Sequence, residues 1–129
     1  MQPQQYWREI PQRYRLEAGK CGKCSKIFFP PRLVCDQCAN DQFTMVQLPR
    51  TGKVLTHSVV HLGPSDFIKI SPYAIAVVEL DNGVKVTTQL VDVDPPEIKT
   101  GMAVRLEFRK INESGEAGVI CYGYKAVPA

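Results

Sequence analysis

The sequence contains no apolar run of the roughly 18 to 20 residues that a membrane-crossing helix requires. Its first segment, MQPQQYWREIPQRYRL, also lacks the apolar region of a signal peptide. We therefore expect a cytoplasmic protein that makes no membrane contact. Thiols stay reduced in that compartment, so paired cysteines are more often metal ligands than disulfides.

Net charge is also small, at a formal +3 over 129 residues, but it is unevenly distributed. Residues 1–53 carry nine Lys or Arg against four Asp or Glu, and residues 54–129 carry seven against nine. This asymmetry suggests a domain boundary near residue 53. Four thiolates holding one Zn²⁺ would lower the total to about +1, which is too little to favour nucleic-acid binding.

Catalytic groups are scarce. His57 and His61, four positions apart in a predicted strand, are expected to form a polar pair on a solvated face. Cys121 lies in an apolar run and is expected to be a buried, inert thiol. We predict no catalytic residue, which disfavours an acyl-CoA carrier or a thioesterase-like enzyme.

The potential metal ligands are concentrated in the segment CGKCSKIFFPPRLVCDQC, residues 21–38, which contains two CxxC pairs. Each pair can present two sulfurs to one ion, and two pairs complete a tetrahedron with no open position for water. The spacing predicts one structural zinc in a ribbon, with the ligands Cys21, Cys24, Cys35 and Cys38. Glycine commonly follows the second cysteine of each such turn, but Ser25 and Ala39 stand there, which leaves the turn geometry open.

Five partly alternating, β-branched runs follow and predict a small barrel. They cover residues 52–62, 73–80, 84–91, 103–111 and 118–126. Asn82-Gly83 predicts a two-residue type I′ hairpin, NESGEAG (112–118) a longer loop, and DVDPPEIKTGM a short turn or helix. The order matches an OB-fold, whose ligands usually lie on the face of its second and third strands.

Before the ribbon, two short helices are predicted at residues 4–10 and 11–16, separated by Pro11. At that length neither is stable alone. They either fold onto the ribbon or barrel, or lie across a partner protein. In the second case Tyr6 and Trp7 would anchor the contact, because aromatic residues dominate interface energetics.

These features together resemble the family known as domain of unknown function 35. The resemblance rests on two N-terminal helices, a rubredoxin-like ribbon with FFPPR between its cysteine pairs, and a barrel containing TGKVLTHSVV and KTGMAVRLEFRK. It covers nearly the whole chain and implies a mainly β fold with N-terminal helices at 1–18, a zinc ribbon at 19–49 and a five-stranded OB-fold at 50–129.

The resemblance also implies partners. Members occur with thiolases and ketoacyl-synthase-like enzymes, and the archaeal type bridges acetoacetyl-CoA thiolase and hydroxymethylglutaryl-CoA synthase early in the mevalonate pathway. Condensation of two acetyl-CoA molecules is uphill, so a non-catalytic scaffold joining both active sites would favour transfer of the product. We expect this hetero-oligomer, with CoA as a possible ligand at a shared site.

The residues between the cysteine pairs are candidates for contact with such partners. Phe28 and Phe29 either cover the metal site or face a partner, and Arg32 next to a rigid Pro-Pro suits a phosphate or carboxylate. Tyr124 and Lys125 in the last strand are candidates for a second surface. The candidate partner or CoA contacts are therefore Tyr6, Trp7, Phe28, Phe29, Arg32, Tyr124 and Lys125.

The alternative function is nucleic-acid binding, since a ribbon joined to an OB-fold also occurs in RNA-binding and single-strand-binding proteins. Such barrels expose aromatic residues on their second and third strands for base stacking. Here those strands offer only Tyr73, at one end. We therefore expect no affinity for nucleic acid beyond non-specific contact.

Overall fold

The protein is mainly β, with two short helices, a three-stranded ribbon and a closed five-stranded barrel, in a computed structural model that describes residues 3–113, 118 and 120–129. In chain order the elements are α1 Pro3–Arg8, α2 Ile10–Arg15, β1 Glu17–Cys21, β2 Ile27–Phe28, β3 Phe43–Gln47, β4 Thr51–Val60, β5 Tyr73–Leu80, β6 Lys85–Leu90, β7 Ala103–Glu113 and β8 Ile120–Pro128. Two 3₁₀ turns cover Ser65–Ile70 and Pro95–Glu97. Among the described residues, no helix has the length and apolar character needed to span a membrane.

The ribbon sheet has the strand order β2-β1-β3, with both neighbours antiparallel to β1. Its central strand connects two apolar regions. Cys21, at the end of β1, belongs to a small buried cluster with Phe28 and Cys35. Ala18, three residues earlier, is fully buried in the main core together with Leu16 and barrel residues. The ribbon and the barrel therefore share β1 as a structural link.

The barrel has the strand order β4-β5-β6-β8-β7, which is that of an OB-fold. All five strands predicted from alternation are present. In β5 the buried positions alternate strictly, at Ala74, Ala76, Val78 and Leu80, as expected when one face of a strand lines the core. Closure is uneven, because β6 meets β8 through one parallel register pair, Leu90 and Ala126. A seam is left between these two strands.

The helices fold onto the barrel, which decides between the two predicted placements. The Tyr6 hydroxyl hydrogen-bonds to the main chain of Tyr122, and the Tyr124 hydroxyl donates to the Tyr14 carbonyl at 3.1 Å. The Tyr14 ring lies edge-on to Phe108, 5.1 Å between centroids. α2 ends where Leu16 adopts a left-handed φ of 51° and enters the core.

The turn between β5 and β6 differs from the predicted type I′ hairpin. Of its residues only Gly83 has a positive φ, 86°, and its N–H donates to the Leu80 carbonyl at 2.8 Å. Leu80 and Val84 close the loop through a second hydrogen bond of 2.8 Å. Three residues, 81–83, therefore connect the strands as a tight turn followed by a left-handed glycine, an arrangement that accepts Asn at an ordinary φ.

Two further connections between strands were predicted, and the structure describes the first completely and the second in part. DVDPPEIKTGM contains a single 3₁₀ turn, Pro95–Glu97, before Gly101, which has a φ of 88°. Of the predicted loop NESGEAG, residues 114–117 lie outside the described part, as does residue 119 of the strand predicted to begin at 118. β8 is described from Ile120.

Gly52 generates a testable prediction because it lies between two paired strands, opposite Leu80 in β5 and Val104 in β7. A Cβ added there would lie 2.3 Å from the Glu79 carbonyl oxygen. We expect Gly52→Ala to force the strands apart and to lower the free energy of unfolding by about 3 kcal/mol. Chemical denaturation in saturating zinc measures this value.

The adjacent exposed variant Lys53→Ala serves as the control and should change the free energy of unfolding by less than about 0.5 kcal/mol. Equal stability of Gly52→Ala and the wild type would contradict the close packing of β4 against β5.

Candidate metal centre and docking surfaces

The sulfurs of Cys21, Cys24, Cys35 and Cys38 all lie within 4.8 Å of one another. Two of the separations are 3.5 Å, between Cys21 and Cys38, and 3.4 Å, between Cys24 and Cys35. Four sulfurs each about 2.3 Å from a tetrahedral zinc ion would be about 3.8 Å apart. The four cysteines are therefore positioned to bind one metal ion, and a closed set of four protein ligands suits a structural ion.

The two CxxC turns have the same backbone geometry although neither contains the usual glycine. Ser25 and Ala39, each directly after the second cysteine of its pair, have φ values of 62° and 56°. The Ser25 N–H donates to the Cys21 carbonyl and the Ala39 N–H to the Cys35 carbonyl, both at 3.1 Å. The question left open by the sequence is thus resolved, because non-glycine residues accept the left-handed conformation here at some energetic cost.

Main-chain donors favour the thiolate form of the first cysteine in each pair. The Cys24 N–H lowers the pKa of Cys21 to about 6, with further contributions from the N–H of Lys23 and the amide of Asn40. The Lys23 N–H and the Asn40 amide nitrogen each lie 3.5 Å from the Cys21 sulfur. Likewise, the Cys38 N–H is the main cause of the lowered pKa of Cys35. One thiolate from each pair is therefore favoured at the single site where a cation would bind.

The phenylalanines between the cysteine pairs have different roles. Phe28 is buried beside Cys21 and Cys35, with its ring edge-on to Phe43 at 6.0 Å. Phe29 is half-buried and packs against the main core. Phe28 therefore covers the metal site, and Phe29 joins ribbon to barrel. Neither is an exposed partner contact in this conformation.

Two cations flank the Phe28 ring. The Lys26 ammonium and the Arg32 guanidinium lie 5.0 Å and 5.4 Å from its centroid, within the range of cation–π attraction. Lys26 also pairs with Asp36 at 2.9 Å, and this hydrogen bond lowers the pKa of Asp36. Arg32 remains exposed beyond the ring, as its predicted role requires.

At the N-terminus, the two aromatic residues predicted as anchors point in opposite directions. Trp7 is 73% exposed, whereas Tyr6 is 4% exposed and is held by the main chain of Tyr122. A partner could reach Tyr6 only if α1 moved away from the barrel. Of these two aromatic residues, only Trp7 is accessible to a partner, because Tyr6 lies on the opposite side of α1.

The two predicted contacts in β8 are largely internal. Tyr124 packs edge-on against Phe108 at 5.6 Å, and the Arg50 guanidinium lies 5.2 Å from its centroid. Lys125 is only 8% exposed, and burial together with Arg109 lowers its pKa. Lys125, predicted as a partner or CoA contact, is therefore almost entirely covered in this conformation.

Among the exposed apolar side chains, two groups lie outside the strands, where sequence patterns did not indicate them. The ribbon tip, Arg32, Leu33 and Val34, includes Leu33 at 89% exposure. The far loop, Leu62, Ile68 and Ile70, includes Leu62 at 81% exposure. The predicted strand 52–62 included Leu62, whereas β4 ends at Val60, and residues 33, 34, 68 and 70 lie outside the predicted strands. Sequence spacing therefore did not distinguish either group from core residues. Grouped exposed apolar residues commonly mark interaction sites.

The sequence of this chain matches known protein families. Two family models match, "ChsH2, rubredoxin-like zinc ribbon domain" over residues 8–44 and "ChsH2, C-terminal OB-fold domain" over residues 45–109. The chain is 45% identical to a DUF35 domain-containing scaffold protein of Methanocaldococcus jannaschii, over 95% of this chain and 87% of that one.

Two further similarities involve enzyme subunits. A benzoylsuccinyl-CoA thiolase subunit, BbsA, of Geobacter metallireducens is 33% identical over 58% of this chain and 49% of that one. The solved Ltp2-ChsH2(DUF35) aldolase includes a chain with a TM-score of 0.77 and 27% identity, covering 99% of this chain and 96% of that one.

Metal content is the direct test of the cysteine site. We expect about one zinc per chain in protein prepared without chelator, and a Cys35→Ser variant should lose most of it because one of four ligands is removed. Inductively coupled plasma mass spectrometry gives the ratio. Cys121→Ser, a change to the buried cysteine of β8, is the matched control and should retain the metal. A zinc ratio near zero in the wild type would overturn the site.

The left-handed conformation of Ala39 predicts that a glycine at this position increases the affinity for zinc. Ala39→Gly should tighten zinc binding by about 0.5 to 1 kcal/mol, because glycine adopts the left-handed conformation without steric cost. Competition with a chromogenic chelator measures this change. Ala103→Gly, at an exposed strand position, should instead destabilise the protein by a similar amount. A weaker zinc affinity in Ala39→Gly would contradict the assignment of strain to this turn.

Proposed function

Because this chain belongs to the DUF35 family of zinc-ribbon and OB-fold scaffold proteins, we propose that it is a non-catalytic scaffold in an acyl-CoA enzyme complex. The proposed partners are acetoacetyl-CoA thiolase and hydroxymethylglutaryl-CoA synthase in the cytoplasm. Their joining would promote transfer of acetoacetyl-CoA in the mevalonate pathway. One zinc ion, held by Cys21, Cys24, Cys35 and Cys38, would have a purely structural role.

The observation that carries this proposal is the 45% identity to a scaffold protein along nearly the whole chain. The thiolase subunit and the aldolase complex among the similar proteins support a partner of the thiolase type. The choice of hydroxymethylglutaryl-CoA synthase as the second partner is the more specific part of the proposal. It rests on the resemblance to the archaeal type and on the chemistry of an uphill condensation, whose product must be consumed.

A non-catalytic role fits the chemistry of the described residues. Four protein ligands would leave a bound ion without an open coordination position for water. Cys121 is buried in β8, where a thiol is poorly accessible to substrate. His61 lies beyond the end of β4, so it does not extend the strand face that carries His57.

Two separated docking surfaces would allow a bridge. Arg32 of the ribbon tip shares a cleft with Asn82–Lys85, at the end of the barrel where β4 begins. The far loop follows the other end of β4, and a strand of this length spans roughly 30 Å. The ribbon tip and the far loop therefore lie near opposite ends of the barrel.

Contact with CoA is a subsidiary part of the proposal. The cleft at the ribbon tip has a volume of about 540 Å³ and is lined by the basic residues Lys26, Arg32 and Lys85. Arg32 has a fork of donors suited to phosphate. A phosphate arriving with a partner enzyme would meet positive charge at this cleft.

Nucleic-acid binding is less well supported by the barrel surface. The exposed positions at the centre of the three strands β4 to β6 include Thr56, Ser58 and Thr87, which provide no rings for base stacking. The Tyr73 ring packs edge-on against Phe67 at 5.8 Å and so is already engaged.

The two-surface bridge can be tested with paired variants. We expect Leu33→Ser and Leu62→Ser to weaken capture of different enzymes, by roughly thirtyfold if each is a hot spot worth about 2 kcal/mol. Pull-downs with thiolase and synthase from the same genome, followed by titration, measure the affinities. Lys99→Ser, exposed and outside both surfaces, should bind both enzymes as the wild type does.

The bridge would be wrong if the wild type captured neither enzyme. It would also be wrong if both leucine variants held both enzymes with unchanged affinity. Loss of both enzymes from a single variant would indicate one shared surface instead of two.

A further inference from the structure

A pocket of about 360 Å³ lies at the seam between β6 and β8, beneath α2. Thr87, Thr88 and Gln89 line one side, and residues 122–124 of β8 line the other. The Thr88 hydroxyl bridges the seam by donating to the Tyr124 carbonyl at 3.1 Å. The pocket is distinct from the metal centre, the ribbon tip and the far loop.

Two buried polar atoms without hydrogen-bond partners belong to residues that line this seam pocket. They are Nε of Arg13 and Oε1 of Gln89. Across the described residues, one further side-chain atom has this property, Nδ1 of His57, which belongs to an adjoining apolar hollow of about 190 Å³. The pocket and the hollow share Ile75 and Thr87.

Such atoms are costly, since an unsatisfied buried donor or acceptor destabilises a protein by about 1 to 3 kcal/mol. Native proteins keep few of them, and each requires an explanation. Here all three belong to residues that line the seam pocket or the hollow beside it, Arg13 from α2 and Gln89 and His57 from the barrel. Their grouping indicates a site where a ligand completes the hydrogen bonding.

The chemistry of the pocket limits that ligand. Arg13 presents a donor, and Gln89 presents a carboxamide oxygen as an acceptor. A secondary amide matches both, because its carbonyl accepts and its N–H donates. The remaining lining includes Leu16, Phe29 and Ile111, which suit an apolar group next to the amide.

We propose that the seam pocket binds one main-chain amide and the neighbouring apolar side chain of an extended segment of a partner enzyme. This rests on the proposed function, because a scaffold's ligands are protein chains. The volume of about 360 Å³ is large enough for one residue of such a segment. The edges of β6 and β8 beside the pocket meet at only one register pair, Leu90 and Ala126.

The first experiment uses N-acetyl-leucine methylamide, which has one apolar side chain between two secondary amides. We expect the zinc-loaded full chain to bind it in the millimolar range, with saturable NMR shifts at the Gly123 amide and the Gln89 side chain. Gln89→Met and Arg13→Met should weaken binding by about tenfold each, as for loss of one buried hydrogen bond. Gln47→Met, a change outside the pocket, is the control and should bind normally.

Two outcomes of this titration would overturn the proposal. One is the absence of saturable shifts at these groups. The other is tighter binding of pantethine than of the peptide analogue, since the pocket would then favour the amide arm of a small molecule over a protein segment.

The second experiment separates this inference from the proposed function. Gln89→Met should weaken capture of one of the two enzymes by about tenfold while capture of the other is unchanged. If the wild type captures both enzymes and Gln89→Met captures both equally well, the inference fails and the scaffold stands. If the wild type captures neither enzyme, the proposed function fails, and the segment assigned to the pocket fails with it.

Discussion

Four cysteine sulfurs converge on one point, where a single bound metal ion would hold the N-terminal ribbon together. Among the described residues, the cluster around them has three buried members, Cys21, Phe28 and Cys35, with Cys38 and Phe43 partly buried against them. This is too little apolar surface to stabilise a ribbon alone. β1 carries the first of these cysteines and continues into Leu16 and Ala18 of the main core. Fixing the sulfurs therefore also fixes where α2 meets the barrel.

Tyr6 and Tyr14 of the two helices attach these helices to the barrel. Tyr6, Tyr14, Phe108, Tyr122 and Tyr124 form a connected set of ring contacts and hydrogen bonds between the helices and strands β7 and β8. Burial raises the pKa of Tyr6, so it stays a neutral hydrogen-bonding group at physiological pH. Tyr6 and Tyr14 therefore attach the N-terminus to the fold, whereas the rings of Trp7, Phe108 and Tyr122 remain exposed.

A scaffold must hold its own shape while it presents separate surfaces. The shared core of ribbon and barrel meets the first requirement. In the proposed bridge, the exposed apolar residues of the ribbon tip and the far loop would meet the second requirement, because they are not part of the core. The seam pocket adds a specific feature to this arrangement, because its unpaired polar atoms would favour a ligand of defined hydrogen-bonding pattern over any apolar chain.

Local spacing determined much of this protein from the sequence alone. CxxC pairs placed four sulfurs together, alternation gave five barrel strands, and Pro11 indicated two helices, since each signal depends on residues close along the chain. The break itself lies at Glu9, and Pro11 occupies the first turn of α2. Tertiary structure decided the rest. The Tyr6 hydroxyl bonds to Tyr122, 116 positions away, and the Tyr124 hydroxyl bonds to Tyr14, 110 positions away. Arg13 and Gln89 line one pocket only because α2 folds over the seam. Whether a side chain is buried or exposed depends on such distant partners, and no local pattern records them.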